Sequence, residues 1–337
     1  MKILVTGGLG FIGSNFIRHI LTAENNIQIV NIDLQTYAGN PSNLKDISGD
    51  SRYSWIRADI SDPISVFRAM SGCDVVVHFA AESHVDRSIS NPSLFLKTNI
   101  IGTQVLLDAA RNEKIKKFIH VSTDEVYGSI PGKRRATEKA GLFPNSPYAA
   151  SKASSDCLAR AAFVTHRLPV IITRASNNFG PYQHPEKAIP LMITNFIENK
   201  TYPLYGDGLN VRDWLYVEDH TSALIYLLKN GIPGEIYNIG GKTALKNKEL
   251  VSRVCKIMKI SSSMVVNVPD RLGHDQRYAI DSSKLINLGF KFKHPFEKAI
   301  EETINWYQTH AGWWETIKKS KEYSDYYRKQ YEKNLQF

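Results

Sequence analysis

The sequence predicts an α/β fold built on a doubly wound parallel sheet, with a smaller substrate-binding domain interleaved with it. Three observations indicate this class. Short apolar, β-branched runs alternate with longer helical patterns, a glycine-rich turn follows the first run, and the rhythm breaks after about residue 178. Apolar strands separated by helices are typical of a parallel sheet covered on both faces.

The predicted strands and domain limits follow from these patterns. Prolines and a Tyr-Gly-Asp-Gly turn at 205–208 interrupt the pattern in the middle of the chain, and a strand from Glu235 to Ile239 is predicted to return to the first sheet. We expect a first domain of residues 1–178 plus about 211–240, a second of 179–210 and about 241–310, and a C-terminal tail of 311–337. The strands predicted first are Lys2 to Thr6, Ile27 to Ile32, Tyr53 to Ala58, Asp74 to Phe79, Lys117 to Ser122 and Leu168 to Thr173.

Length and composition exclude several classes of protein. The chain has 337 residues, 42% hydrophobic and 22% charged, which excludes intrinsic disorder, collagen and coiled coils. No apolar run approaches the roughly 18 residues of a membrane helix, and the apolar run after Lys2 is too short for a signal peptide. We therefore expect a cytoplasmic protein with no membrane partner.

The cysteines and the charge narrow the choice of ligand. Cys73, Cys157 and Cys255 are far apart in sequence and form no CxxC or Cys/His cluster, so neither disulfides nor a metal site is expected. The net charge of +9 favours an anionic partner. Because the densest basic run, residues 133–135, has no interleaved aromatic residues, a phosphorylated small molecule is favoured over nucleic acid.

The turn after the first strand carries a glycine pattern. Residues 6–13 read TGGLGFIG, which contains GxGxxG at Gly8, Gly10 and Gly13 and a second spacing that begins at Gly7. Glycine permits the tight turn, the close approach of a pyrophosphate and the packing of a helix whose free N–H groups bind phosphate. Alone the pattern is often only structural, but the strand before it and the amphipathic segment after it favour a Rossmann dinucleotide site.

Asp33 ends the second predicted strand, 20 residues after Gly13. An acidic side chain here accepts hydrogen bonds from both ribose hydroxyls and repels a 2′-phosphate. Neither Leu34 nor Gln35 supplies a compensating cation. The sequence therefore predicts NAD as cofactor, and this context disfavours the alternative that Asp33 is a capping or turn residue.

A Ser-Pro-Tyr sequence at Ser146 opens an alanine-rich segment with the signature of a helix start. Tyr148 and Lys152 are four residues apart and share one helix face. The ammonium and a positively charged nicotinamide would lower the pKa of the tyrosine, which could then take a hydroxyl proton as hydride leaves the same carbon. A YxxxK pair alone is usually a surface pair, but its place downstream of the glycine turn favours catalysis.

Two carboxyl groups follow the fifth predicted strand, at Asp124 and Glu125, directly after Thr123. The carboxyl ends of parallel strands face the ligand crevice, whereas the alternative is a solvated acidic turn. Different environments can give two carboxyl groups different pKa values, so that one stays protonated and acts as an acid while the other is ionised and acts as a base. Since dehydrogenation of an alcohol needs only the tyrosine, the pair indicates an elimination.

These motifs together resemble a known family. The TGGLGFIG start, AAESHVDRS at 80–88 and the Tyr148/Lys152 pair are similar to the extended short-chain dehydrogenase/reductases. TDE at 123–125, NNFGPYQ at 177–183, RDWLYVEDH at 212–220 and DRLGHD at 270–275 are similar to the dTDP-glucose 4,6-dehydratase family. The resemblance extends to about residue 306. Two departures are Phe179, where the family has Tyr, and Leu272, where it has Pro and where a looser loop is expected.

The resemblance implies a lyase of deoxysugar biosynthesis that holds NAD tightly and dehydrates dTDP-glucose to its 4-keto-6-deoxy product. Tyr148, helped by Thr123 and Lys152, would take the 4-hydroxyl proton as hydride passes from C4 to NAD. Glu125 would then abstract the C5 proton while Asp124 protonates the departing 6-hydroxyl. Return of the hydride to C6 would regenerate the cofactor.

The resemblance also assigns binding residues and an assembly. Two helices, predicted at 95–112 and 147–166, carry apolar residues on more than one face (Leu106, Leu107, Ala109; Leu158, Ala161, Ala162, Phe163), which indicates a homodimer through a four-helix interface. The cofactor residues would be Gly7, Gly10, Phe11, Ile12, Gly13, Asp33, Asp59, Ile60, Ala80, Ala81, Ser83, Thr98, Tyr148, Lys152 and Asn178. The nucleotide-sugar residues would be Ser83, Thr123, Asn177, Lys187, Ala188, Pro203, Tyr205, Arg212, Asn247, Arg271 and His274.

Three alternatives stay open at this point. A related dehydratase of a UDP- or GDP-sugar would share most of these motifs. A nucleotide-sugar 4-epimerase needs no acid and base at C5 and C6, so the Asp124-Glu125 pair argues against it. A silent NAD-binding scaffold or sensor would be free to lose Thr123, Tyr148 and Lys152, which are all present.

Overall fold

A computed structural model describes residues 1–331 of the chain and contains a seven-stranded, wholly parallel sheet. The strands of the molecule are β1 Lys2–Thr6, β2 Gln28–Asp33, β3 Tyr53–Arg57, β4 Val75–His78, β5 Lys117–Thr123, β6 Val170–Ala175, β7 Asn177–Phe179, β8 Tyr202–Tyr205, β9 Val211–Tyr216, β10 Ile236–Ile239, β11 Ala244–Lys246 and β12 Val265–Val268. The order in the large sheet is β10-β6-β5-β4-β1-β2-β3. This confirms the predicted doubly wound α/β class, including the return of a strand near residue 235 to the first sheet.

Helices cover both faces of this sheet. They are α1 Phe11–Ala23, α2 Pro63–Met70, α3 Val85–Ser90, α4 Pro92–Phe95, α5 Thr103–Asn112, α6 Pro147–His166, α7 Ala188–Ile197, α8 Val217–Asn230, α9 Asn247–Met258, α10 Ser283–Asn287, α11 Phe296–Thr309, α12 Ala311–Lys318 and α13 Lys321–Gln330. Side chains of a strand alternate between faces, so Ile3 and Val5 of β1 pack with α1 and α8 while Leu4 packs with α2, α5 and α6. Both faces are therefore closed by apolar cores, and ligands must enter at the strand ends.

Two small sheets lie outside the large one. The order β11-β9-β7 forms a three-stranded sheet, and β8 pairs with β12 in parallel. Their core includes Phe179, which is 1% exposed and packs against the rings of Trp214, Tyr216 and Phe296. The departure from Tyr at position 179 thus places an apolar ring in an apolar core. The limits of the two predicted domains stay a prediction.

The predicted C-terminal tail contributes helices α12 and α13. Trp314 of α12 is 1% exposed, and its indole N–H donates to the carbonyl oxygen of Tyr307 at 2.8 Å. Residues 332–337 of that tail lie outside the described residues. Within residues 1–331, none of the helices is both long enough and apolar enough to span a bilayer.

The two helices of the expected dimer interface differ from the prediction in detail. Residues 147–166 form α6, but the first helix is composed of α4, a π-helical segment Leu96–Gly102, and α5. Leu106, Leu107 and Ala109 are buried in the chain's own core against the sheet, so the expectation that these three face a partner is wrong. The surface instead exposes Leu94, Leu96 and Ile101, which are 50%, 51% and 53% exposed.

Candidate active site

A cavity opens at the carboxyl ends of β1, β2, β4 and β5, where the sequence predicts the cofactor. It is also lined by residues that the sequence did not single out, among them Tyr37, His184 and Glu186. The predicted cofactor residues that line it are Gly7, Gly10, Phe11, Ile12, Gly13, Asp33, Asp59, Ile60, Ala80, Ala81, Ser83, Thr98, Tyr148 and Lys152.

The glycine turn fits a dinucleotide because side chains have no room in it. Gly7 has φ +72°, and a Cβ there would lie 2.6 Å from the backbone nitrogen of Ala80. A Cβ on Gly13 would lie 2.4 Å from the carbonyl oxygen of Gly7. The turn therefore keeps its backbone bare at the start of α1, where free N–H groups can receive a pyrophosphate.

Asp33 stands at the cavity wall with its carboxylate fixed by backbone groups. The N–H of Leu9 donates to its Oδ2 at 2.9 Å and the N–H of Gln35 to its Oδ1 at 2.7 Å. Burial raises the pKa of Asp33, and these two N–H groups oppose the rise. Each oxygen retains a lone pair, so the carboxylate can also accept hydrogen bonds from ribose hydroxyls.

Asn178 does not line the cofactor cavity. Its amide contacts the imidazole Nδ1 of His220 at 2.9 Å and donates to the carbonyl oxygen of Ser176 at 2.9 Å. Its own carbonyl oxygen accepts from the side chain of Gln183 at 2.8 Å. Since Gln183 does line the cavity, Asn178 supports the wall from behind.

A second cavity lies between the large sheet and the small ones. Glu125, from the predicted acid/base pair, also lines it. Thr123 does not line this cavity and caps the turn that carries Glu125. The predicted nucleotide-sugar residues that line it are Ser83, Asn177, Lys187, Ala188, Pro203, Tyr205, Arg212, Asn247, Arg271 and His274.

Cations and aromatic rings are paired along the walls of this second cavity. The guanidinium of Arg212 lies 4.4 Å from the ring centre of Tyr278, and that of Arg271 lies 4.8 Å from the ring centre of Tyr205. Asp86 pairs with Arg271 at 3.3 Å. Rings and a carboxylate thus hold the two guanidinium groups in place, ready to bind an anion such as a diphosphate.

The two cavities meet at a shared wall. Ser83, Glu186 and Lys187 line both of them, and the Nζ of Lys187 donates to the carbonyl oxygen of Ser83 at 3.1 Å. Burial lowers the pKa of Lys187, and the Glu186 carboxylate opposes that shift. A ligand in the second cavity can therefore reach groups of the first.

Thr123, Asp124 and Glu125 turn from β5 into a 3₁₀ segment. The hydroxyl of Thr123 accepts from the backbone N–H of Glu125 at 3.2 Å, which fixes the turn. Asp124 is 2% exposed, and its Oδ2 has no hydrogen-bond partner among residues 1–331. The turn therefore directs one carboxyl into the interior and the other into the second cavity.

The surroundings of these two carboxyls differ as the sequence predicts. Burial raises the pKa of Asp124 well above its usual value, and Glu125 and Asp213 add to the rise. Burial also raises the pKa of Glu125, but there Arg212, Lys187 and Arg271 all favour the ionised form. The arrangement suits Asp124 to hold a proton and Glu125 to accept one.

Tyr148 and Lys152 enter the cofactor cavity from the first turns of α6, which is capped by Ser146. The sequence predicted that Lys152 and a bound nicotinamide together lower the pKa of Tyr148, whereas within the chain itself the pKa of Tyr148 is raised. Burial is the main cause, Glu125 adds to it, and a hydrogen bond with Thr123 opposes it. Within the chain, desolvation of the phenolate is the largest effect, and the combined effect of the ammonium and the nicotinamide stays a prediction.

Several residues that line the second cavity were not among the predicted site residues. Asp86 and Tyr278 order the cationic side chains, and Tyr331, which follows α13, lines the second cavity close to the ring of Tyr205. Asp86 lies inside the AAESHVDRS segment, so its motif could have identified it. Tyr331 lies beyond residue 306, where the resemblance ends, and only the packing of α13 brings it here.

Comparison with known proteins agrees with this geometry. A family model described as GDP-mannose 4,6 dehydratase matches residues 4–303. A dTDP-glucose 4,6-dehydratase of Shigella flexneri is 48% identical over 98% of this chain and 99% of that protein, and one of Streptomyces niveus is 46% identical over 96% and 97%. The solved structure of DesIV, a dTDP-glucose 4,6-dehydratase from Streptomyces venezuelae with NAD bound, is 47% identical, with a TM-score of 0.92 over 94% of this chain and 100% of that chain. By sequence and by structure, the chain belongs to the dTDP-glucose 4,6-dehydratase family.

Proposed function

We propose that this chain binds NAD in the first cavity and dTDP-glucose in the second, and removes water from the sugar to give the 4-keto-6-deoxy product. One observation carries the proposal. Tyr148 and Lys152 line the first cavity, Glu125 lines the second, and the two cavities share the wall of Ser83 and Lys187. A hexose that spans the junction meets a redox cofactor on one side and an elimination base on the other.

Tyr148 acts at the sugar 4-hydroxyl in this proposal. NAD, once bound, supplies the acceptor for the C4 hydride and the donor that returns a hydride to C6. Tyr148 takes the hydroxyl proton, and Thr123 stabilises its phenolate by a hydrogen bond. Lys152 holds a positive charge beneath the same site. The positive charge of the cofactor opposes the desolvation that raises the pKa of the free tyrosine.

Glu125 and Asp124 perform the elimination. The 4-ketone acidifies the proton on C5, and the carboxylate of Glu125 removes it. Burial raises the pKa of Asp124, which favours its protonated form, so Asp124 can donate a proton to the departing 6-hydroxyl and water leaves. When C6 receives its hydride, the proton held by Glu125 returns to C5. A 4-epimerase needs no acid and base at C6 and C5. The Asp124-Glu125 pair therefore favours elimination over 4-epimerisation.

Arg212, Arg271 and Lys187 hold the diphosphate, and Tyr205 with Pro203 forms a wall for the base.

The proposed function is tested by identifying the product. The protein is incubated separately with dTDP-, UDP- and GDP-glucose, and products are measured by mass. We expect dTDP-glucose to lose one molecule of water. If only UDP- or GDP-glucose loses water, that sugar nucleotide is the substrate and the proposal of dTDP-glucose is wrong.

We also propose that the protein is a cytoplasmic homodimer. Leu94, Leu96 and Ile101 on the α4–α5 segment and Val164 on α6 are each half exposed or more, and these side chains favour a helix-to-helix contact with a second copy. Sedimentation at micromolar concentration tests the assembly. A dimer is expected, and Ile101→Asp should shift it toward the monomer.

A further inference from the structure

The loop after β2 forms one side of the cofactor cavity. Residues Asp33, Thr36, Tyr37 and Gly39 all line the cavity, on the side where Asp33 would bind the adenosine ribose. The loop has no regular secondary structure, and its own bonds include Gly39 N–H to Thr36 O at 3.0 Å. Hydrogen bonds fix both ends of the loop, from Gln35 N–H to Asp33 Oδ1 at 2.7 Å and from Asn40 N–H to the carbonyl oxygen of Leu9 at 3.0 Å. The side chain of Tyr37, in the middle of the loop, is positioned by the residues that pack on it.

The ring of Tyr37 is covered by Arg87. The central guanidinium carbon lies 3.7 Å from the centre of that ring, and on another side it lies 4.8 Å from the ring centre of Tyr326 in α13. Arg87 lies in α3, so the guanidinium joins three separate segments of the chain. Planar stacking of this kind is specific to arginine, since lysine offers only a point charge.

Two carboxylates fix the same guanidinium. Glu186, whose side chain is 1% exposed, lies 3.2 Å from Arg87 and lines both ligand cavities. Glu322 of α13 also lies 3.2 Å from Arg87 and is largely exposed. Arg87 thus ties the cavity wall on the inside to the C-terminal helix on the outside.

A shallow outer cavity lies on the far side of this wall. It is lined by Tyr37, Gly39, Arg87, His184, Glu322 and Tyr323. The rings of Tyr37 and His184 meet edge to face at 5.4 Å and line both this cavity and the cofactor cavity. Displacement of Tyr37 would therefore open the cofactor cavity sideways to this space.

We propose that Arg87 is a positioning residue that slows release of NAD by clamping Tyr37 against Glu186 and α13. The inference rests on the proposed function, in which the cofactor is regenerated in every turnover and slow release is useful. The mechanism itself needs no bond between Arg87 and the reacting sugar. A purely structural ion pair would stabilise the fold without affecting how fast NAD leaves.

The test measures NAD exchange without any sugar nucleotide. Purified protein is loaded with radiolabelled NAD, excess unlabelled NAD is added, and bound label is followed with time. We expect Arg87→Ala to release label at least about tenfold faster, which corresponds to about 1.4 kcal/mol, because the variant loses the stack on Tyr37 and leaves the Glu186 carboxylate buried and unpaired. The rate of NAD release from Arg87→Lys should lie between those of the unmodified protein and Arg87→Ala. Glu322→Gln should accelerate release less than Arg87→Ala does.

A matched control removes the same kinds of contact elsewhere. Arg253 pairs with Glu297 at 2.6 Å and lies 5.7 Å from the ring centre of Phe296, and none of these three residues lines either cavity. Arg253→Ala should leave the exchange rate unchanged even if it lowers thermal stability. An Arg87→Ala protein that exchanges NAD within twofold of the unmodified rate overturns the proposal.

Two further outcomes are decisive. If Arg87→Ala does not fold, because it leaves the Glu186 carboxylate buried and unpaired, Arg87→Lys decides the question, and an unmodified exchange rate in that variant overturns the clamp. If the unmodified protein binds no NAD at all, both the clamp and the proposed function fail. Normal NAD binding with unchanged exchange in the variants overturns the clamp alone.

Discussion

The Nζ atom of Lys152 donates a hydrogen bond to the carbonyl oxygen of Val121 at 2.9 Å. Val121 lies two residues before the end of β5, so this bond places the ammonium under the strand end that carries Thr123. Burial lowers the pKa of Lys152 to about 8, and Asp156, one helical turn further along α6, opposes that shift. Lys152 is therefore a buried charge held by the backbone beside the cofactor cavity, with Tyr148 on the same helix face.

Tyr148→Phe should block the first chemical step. The variant keeps the ring and its packing against Phe95 but lacks the hydroxyl that takes the proton from C4–OH. General-base contributions are typically about 10²- to 10⁴-fold, so reduced nicotinamide should form at least 100-fold more slowly on mixing with dTDP-glucose. Single-turnover absorbance of the nicotinamide measures this, and formation at the unmodified rate would refute the role of Tyr148.

Glu125→Gln should fail one step later. Glutamine keeps the shape of the side chain but cannot remove the C5 proton, whereas oxidation at C4 needs only Tyr148. Reduced nicotinamide should therefore accumulate and persist, with product formation slowed by about 10²-fold or more. Near-normal delivery of the 4-keto-6-deoxy product by this variant would contradict the assignment.

Asp124→Asn separates the acid from the base. The variant retains Glu125, so the C5 proton should still exchange with solvent, but the 6-hydroxyl is no longer protonated as it leaves. We expect trapped reduced cofactor together with deuterium uptake at C5 in heavy water. Absence of uptake in Asp124→Asn, but not in the unmodified protein, would mean that the two residues do not act separately.

Asp33→Ala should narrow the preference for NAD over NADP. Loss of the carboxylate removes both the acceptor for the ribose hydroxyls and the charge that repels a 2′-phosphate. The measurement is the ratio of dissociation constants for the two cofactors, which should fall by about tenfold or more. Equal affinity for both cofactors in the unmodified protein would refute the role of Asp33.

The site residues that the sequence predicts correctly are those whose positions depend on short-range sequence patterns. The glycine turn, Asp33 and the Tyr148/Lys152 pair each depend on spacing within one strand, turn or helix, and the structure places all of them at one cavity. The carboxyl ends of parallel strands bring such segments together, so the doubly wound class predicts their convergence. Asn178 is the exception, because its side chain bonds to His220 and to Ser176 and does not line the cavity.

Contacts between distant segments escape this kind of reasoning. Arg87 and Glu322 are 235 positions apart, and no spacing rule links them. Tyr331 reaches the second cavity only because α12 and α13 pack against the apolar core of the two small sheets. The aromatic composition of the tail does not predict this packing. The raised pKa of Tyr148 depends on how completely its hydroxyl is desolvated, and burial is a tertiary property.

Asp213→Asn should change how stability depends on pH. Asp213 is fully buried in β9, and burial raises its pKa to about 6, although Arg135, 3.6 Å away, opposes the rise. Between its usual pKa near 4 and about 6, the folded chain keeps a proton that the unfolded chain has released. Ionisation of Asp213 in the fold therefore costs stability as pH rises through this window, by roughly 3 kcal/mol in total.

Asparagine cannot ionise, so Asp213→Asn should lack this loss. We measure the free energy of unfolding in urea titrations at equal protein concentration and subtract the value for the variant from that for the unmodified protein. This difference should fall by roughly 2 to 2.5 kcal/mol between pH 4 and pH 7, because the unfolded carboxyl is already about half ionised at pH 4. Asp281→Asn supplies a control of opposite sign, because hydrogen bonds with Ser283 lower the pKa of Asp281 and its contribution is lost as pH falls. A difference for Asp213→Asn that stays flat from pH 4 to pH 7 would show that this carboxyl titrates as if it were in water.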